Sequence, residues 1–213
     1  MRLVAVLLGL TVVSGLIDAV SYLGLGHVFT ANMTGNVVVL GFAAAGAPGF
    51  SVPHTATSLV SFLVGAAAGG RVSVRYAGGS RRTWARMTLA AEALLVGACA
   101  AMAFAAPGTT GTTYTLIAVT AFAMGLRNAT VRKLSVPDMT TTVLTMTLTG
   151  LASDSRVGGG TGRRSPRRTA SVVAMPAGAL LGAWLVVHRD LGTPLLIAAV
   201  AAGVLAAVTS GRE

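Results

Sequence analysis

Phe29–Gly41 reads FTANMTGNVVVLG, and an altered copy, VPDMTTTVLTMTLTG, follows at Val136–Gly150. Each copy sets a polar triplet, Asn32-Met33-Thr34 or Asp138-Met139-Thr140, at the mouth of an apolar run. Asn and Asp favour helix N-caps because their side-chain oxygens accept from the first free backbone N–H groups. In a chain of membrane-like composition, such a triplet predicts a helix that begins partway through the bilayer, where no water satisfies its free amides. Two copies predict two halves, 1–106 and 107–213.

Composition supports the membrane setting. The 213 residues are 54% hydrophobic and 10% charged, with a mean hydropathy of +0.76, whereas soluble domains carry about 25% charged residues. The apolar residues fall in blocks near the roughly 20 residues a spanning helix needs. The formal charge of +10 would suit nucleic acid, but the arginines lie between apolar blocks, so a cytoplasmic bias of Lys and Arg accounts for them better. Cys99 stands alone inside an apolar block, which excludes an intrachain disulfide. The start, MRLVAVLLGLTVVSG, imitates a signal peptide, yet it runs without a break into Asp18-Ala19, which the second half repeats, so no cleavage is expected.

In chain order, the first half reads as a helix over 3–23, the capped element over 28–45, a third helix over 54–70 and a fourth over 88–106. The second half repeats this order. Gly15-Leu16-Ile17-Asp18-Ala19 returns as Gly125-Leu126-Arg127-Asn128-Ala129 at an offset of 110, while the triplets are offset by 106. Gly65 and Gly69 in one third helix answer Gly178 and Gly182 in the other, each pair a GxxxG.

Charge decides between topologies. If all eight elements span, nine basic residues lie on one side and seven on the other. If both capped elements enter and leave on one face, 15 of the 16 basic residues are cytoplasmic: Arg2, five in 71–86, three in 127–133, five in 156–168 and Arg212. The positive-inside rule therefore predicts an all-α fold of six transmembrane helices plus two re-entrant helices in an inverted repeat, with both termini cytoplasmic. A spanning broken helix, with another element not crossing, is the alternative.

GLIDAVSYLGLGHVFTANMTGN, GLRNATVRKL and PDMTTTVLTMTLTGLASDS together resemble the YoaK-like family of bacterial integral membrane proteins, a family of unknown function. The resemblance covers nearly the whole chain. It implies about six transmembrane helices in the bacterial inner membrane, and no assigned activity or functional residues.

Six acids are few enough for their positions to matter. Asp18, Glu92 and Asp138 lie in or beside apolar blocks, where an Asp at a helix centre costs about 2.5 to 3.5 kcal/mol on insertion scales. Asp18 and its counterpart Asn128 either line a passage or serve structurally, for instance by accepting from a free N–H of the capped element. Asn32 and Asp138 either meet a solute or simply cap. Glu92 is expected to pair with Arg86 near the basic loop, with a coupling-ion site as the alternative. On a helix, Asp138, Thr141 or Thr142, Thr145 and Thr149 share a face, which joins Thr34 and Asn36 as a polar lining or serves interhelical hydrogen bonding. Gly65, Gly69, Gly178 and Gly182 are expected to pack helices closely.

His27, His54 and His188 are scattered, no metal-ligand spacing occurs, and no nucleophile has a base beside it. Neither enzyme activity, a metal nor a cofactor is expected. Gly158–Ser165, GGGTGRRS, lacks the spacing of a phosphate loop and reads as a basic loop near lipid headgroups. The function expected is a small transporter or channel for a polar or charged solute; the alternative is a non-transporting scaffold or partner subunit. The implied partners are the lipid bilayer, a small polar or ionic solute and a second copy in a homo-oligomer, with no nucleic acid.

Overall fold

The computed structural model describes residues 2–76, 81–134, 144–162 and 165–209. These contain eight helices and no strand: α1 (Arg2–Gly24), α2 (Met33–Ala44), α3 (Val52–Arg75), α4 (Arg81–Ala105), α5 (Thr110–Leu134), α6 (Thr145–Ser153), α7 (Ser165–His188) and α8 (Gly192–Val208). Four segments, Val4–Gly24, Val52–Arg75, Thr83–Ala105 and Ser165–His188, are long and apolar enough to cross a membrane. α8 is apolar but has 17 residues, and α5 runs for 25 residues but ends on Arg132 and Lys133.

Local chemistry sets several boundaries. Ser51 caps α3 by accepting from the His54 amide at 3.4 Å, with Pro53 in the first turn, where its missing N–H costs nothing. Asp190 does the same ahead of α8, accepting from the Thr193 amide at 2.7 Å. The first capped element is shorter than 28–45: residues 25–32 form an irregular segment in which His27 takes φ 58°, and helix begins only at Met33. Asn32 sits at the N-cap position but makes no side-chain cap bond, contrary to expectation. α4 begins at Arg81 rather than 88, so Arg86 lies on a helical turn, in keeping with the high helix propensity of arginine.

The six long helices run along one direction, three each way. α1 and α7 are parallel, with Gly15 against Met175 and Ala179, Gly182 against Leu16 and Ala19, and Gly24 against Leu191 just past the end of α7. α3 and α5 are parallel, with Gly65 against Phe122 and Gly69 against Leu126 and Ala129. α4 and α8 are antiparallel, with Gly203 near Ala93, Gly97 near Ala199 and Gly192 against Phe104. α4 and α5 are also packed together, as are α1 and α8, and Leu205 near the end of α8 meets Gly9 near the start of α1. α1, α4 and α7 thus point one way and α3, α5 and α8 the other. α1 ends where α3 begins, with α2 between them in the chain, and α6 packs on the start of α7 through Arg168, toward the opposite end.

The core gathers around α1 and α5. Leu10, Leu16, Ile17, Leu116, Ile117 and Met124 are fully buried, with Val96, Cys99 and Leu195 from α4 and α8. The outer faces carry large apolar side chains instead, including Leu94, Leu180 and Val74, each more than 70% exposed. That inversion of a soluble surface suits contact with lipid. The end shared by α1 and α3 is aromatic: Tyr22 stacks on Phe29 at 4.8 Å, His54 meets Tyr114 at 4.8 Å, and Trp184 lies on His188 at 5.1 Å. Arg71, Arg75, Arg132, Lys133, Arg156 and Arg167 are at or beyond the other ends of their helices.

Candidate functional site

α1 presents Thr11, Ser14, Asp18 and Ser21 on buried faces. Asp18 lies six residues before the end of α1, roughly 9 Å in along the axis at 1.5 Å per residue. Its Oδ1 accepts from the amides of Thr30, Ala31 and Asn32 at 3.2, 2.8 and 3.4 Å. The amides of the irregular segment leading into α2 are therefore satisfied by a carboxylate from another helix, whereas the amides an N-cap Asn32 would serve are those of Thr34 and Gly35 in the first turn. Asp18 takes the structural option the sequence left open for it, while its Oδ2 has no partner.

A second clamp acts one step earlier in the chain. Asn36 is fully buried; its Oδ1 accepts from the Phe29 amide at 2.8 Å, and its Nδ2 donates to the Phe29 carbonyl at 2.6 Å and to Ser58 Oγ at 3.0 Å. Ser58 also donates to that carbonyl at 2.6 Å. Ser58 is six residues into α3, again roughly 9 Å from the aromatic end. Both clamps thus hold the start of α2 below that end of the bundle.

At mid-height stands an ion pair that the sequence reading missed. Arg127 Nη1 donates to Glu92 Oε1 at 2.9 Å, with both side chains at zero exposure. Its Nη2 donates to Ser14 Oγ, which in turn donates to the Leu10 carbonyl at 2.9 Å. α5, α4 and α1 are tied together through this one guanidinium. Arg127 Nε and Glu92 Oε2 have no partner. Two expectations are corrected here: Glu92 pairs with Arg127, not Arg86, and Arg127 is an interior residue, not a loop charge. Glu92 lies eleven residues into α4, too deep for a pair at the basic end. A signal was available, since Arg127 is the repeat counterpart of Ile17, itself fully buried.

The remaining candidates scatter. Asn32 is half-buried, Thr34 exposed on α2, and Asn128 half-buried on α5 and engaged in an interaction. Thr145 is exposed in the first turn of α6, where its carbonyl accepts from Thr149 Oγ1 at 3.0 Å; the buried threonine of that helix is Thr147. Asp138, Thr141 and Thr142 lie outside the described residues. Gly65, Gly69, Gly178 and Gly182 all face this chain's own helices. Among the described residues, no three His, Cys, Asp or Glu side chains group as metal ligands. Arg168 bonds Asp154 at 2.7 Å and the Gly150 carbonyl, bracing α6 on α7.

An apolar-faced helical bundle with a charged interior defines a multi-pass membrane protein. The chain belongs to the family described as protein of unknown function (DUF1275), whose profile matches residues 6–208. It is 33% identical over 149 residues to the UPF0700 transmembrane protein YoaK of Bacillus subtilis (strain 168), covering 68% of this chain. The match spans 64% of that protein's length, just under two thirds. No solved structure matches the chain.

Proposed function

We propose that the chain is a small transporter or channel of the bacterial inner membrane, for a small polar or charged solute. The observation that carries this is the Arg127–Glu92–Ser14 cluster with Asp18, sealed at mid-height inside an apolar bundle. Ionisable groups there are expensive and serve ion or solute paths by default. A purely structural need would be met at lower cost by apolar packing.

The reading includes six crossings, with α2 and α6 re-entrant from opposite faces, and an inverted repeat of 1–106 and 107–213. Support comes from matching contacts. Gly15 on α1 meets Met175 and Ala179 on α7, and Gly125 on α5 meets Phe62 and Ala66 on α3. The glycines are 110 apart in sequence and their partners 113 apart. Gly69 against Leu126 and Ala129 is answered by Gly182 against Leu16 and Ala19. Each half lends its third helix to the first helix of the other. Since α1 and α5 point oppositely, the halves are inverted, a common transporter architecture.

The gathering of basic residues at the end where α1 starts supports a cytoplasmic side there for both termini, and the opposite aromatic end suits a membrane interface. No enzymatic activity is assigned, and the partners in this reading are the bilayer, the solute and a second copy. The scaffold alternative relied on free GxxxG faces, and these are occupied within the chain.

Two measurements test this. In a Cys99→Ala background, single cysteines at Ala47 and Thr109 are expected to react with an impermeant maleimide added outside cells, and cysteines at Tyr76 and Arg156 only after permeabilisation. Ala47 behaving like Tyr76 would mean that α2 crosses. In proteoliposomes, a panel of small ions and neutral polar solutes is expected to yield a flux that Asp18→Asn, Asn32→Ala and Asp138→Ala abolish while each variant still elutes as folded protein. No flux for any solute, or full flux in all three variants, ends the transport reading.

A further inference from the structure

Charge balance inside the bundle leads beyond that reading. Among the described residues, the buried charged side chains are Asp18, Glu92, Arg127 and Arg168. Arg168 is paired with Asp154 beside α6, at the basic end. The interior proper therefore holds two carboxylates and one guanidinium. All three belong to one neighbourhood: Arg127 touches Glu92 and Ser14, and Ser14 lies one turn from Asp18 on the same face of α1. Each carboxylate keeps one oxygen without a partner, Asp18 Oδ2 and Glu92 Oε2.

Among the described residues, no further buried cation stands beside the two carboxylates. α7 and α8, packed on α1 and α4, carry no ionisable side chain between Thr169 and Val187 or between Gly192 and Val208, and neither does α3 between Thr55 and Gly70. On α1, α3, α4 and α5 the other described ionisable side chains stand toward the helix ends: Tyr22 on α1, the half-buried His54 with Arg71 and Arg75 on α3, the exposed Arg86 on α4, and Tyr114, Arg132 and Lys133 on α5, with Cys99 alone farther inside α4. The amides before α2 offer a partial charge at most, about half a unit for a whole helix. A buried uncompensated charge is too costly to persist, and such groups neutralise instead.

We infer that Asp18 and Glu92 between them hold one proton at neutral pH, carried on one of their two free carboxylate oxygens. A single free oxygen suffices for a proton, whereas a metal cation needs a shell of several oxygens. The proton stands on the charge count alone; its use as the coupling ion of transport rests on the proposed function. In that use, protonation of Glu92 loosens Arg127 Nη1, and loss of the proton restores the ion pair.

Infrared spectroscopy of the purified full-length protein in nanodiscs tests the proton without any solute. The wild type is expected to show a deuterium-sensitive carboxylic C=O band at pH 7, where carboxyls in water are ionised. Balance predicts that Asp18→Asn and Glu92→Gln each abolish it, because either change leaves one carboxylate for one guanidinium. Asp138→Asn is expected to leave it in place. No band in the wild type overturns the inference, and that arm does not depend on any variant folding. A band that survives either Asp18→Asn or Glu92→Gln, or that vanishes with Asp138→Asn, overturns it as well. So does a band that disappears when Na+ replaces choline, since an alkali cation would then hold the site. Because the readout is spectroscopic, the proton and the flux can fail separately.

Discussion

Arg127→Met is expected to destabilise the protein by about 3 to 5 kcal/mol, the usual effect of removing one partner from a buried ion pair. Glu92 and Arg127 have zero exposure, so water cannot take over the orphaned carboxylate. The variant leaves Asp18 and Glu92 as two buried acids with no base beside them. Adding Glu92→Gln to Arg127→Met should recover most of the loss, because the interior then returns to the wild-type balance. Denaturant or thermal unfolding in detergent micelles, analysed as a double-mutant cycle, measures the coupling. Should Arg127→Met cost less than about 1 kcal/mol, the pair would be behaving like one in water. The sealed interior would then be wrong, and the charge-balance inference with it.

The sequence was most informative where a pattern was repeated. The all-helical fold and its apolar helices follow from the apolar blocks, and the close approach of small residues follows from the repeated glycine spacing. What the repeat did not convey was the exchange of partners. GxxxG predicts a close approach but not which helix approaches, and Gly65 turns out to meet Phe122 rather than a helix of its own half.

The site was legible in parts. Asp18 stood out because an acid in an apolar block is costly, and its structural option was foreseen. Asn36 was foreseen as polar but not as a clamp, since its partners Phe29 and Ser58 lie 7 and 22 residues away. Arg127 was misread because it sits in a short basic run, Arg127 to Lys133, that resembles a loop. Only its alignment with buried Ile17 separates it from Arg132 and Lys133, which are exposed. Similarly, Asn32 has the right residue type for a cap and stands at the N-cap position, yet its side chain makes no cap bond, and the carboxylate of Asp18 instead serves the amides of residues 30–32 ahead of the helix.

Gly15→Ala and Gly125→Ala are expected to be about equally damaging, each by roughly 3 kcal/mol or more, beyond ordinary overpacking. A Cβ at Gly15 would run into the Met175 carbonyl oxygen, and one at Gly125 into that of Phe62. Backbone oxygens cannot rotate aside as a side chain would, so the helices must separate along their length, and in a membrane that close contact is much of what holds them together. Gly65→Ala and Gly178→Ala, which meet the Phe122 and Val12 carbonyls, should behave alike for the same reason. Gly41 and Gly70 have nothing within 4 Å of an added Cβ, so Gly41→Ala and Gly70→Ala should instead stabilise their helices by about 0.5 to 1 kcal/mol. Thermal unfolding of the six variants in one detergent separates the two groups. Wild-type stability in Gly15→Ala and Gly125→Ala would mean that neither parallel pair is this close. Damage confined to one half would mean that the two crossings are not equivalent, and the inverted repeat would lose the contacts that support it.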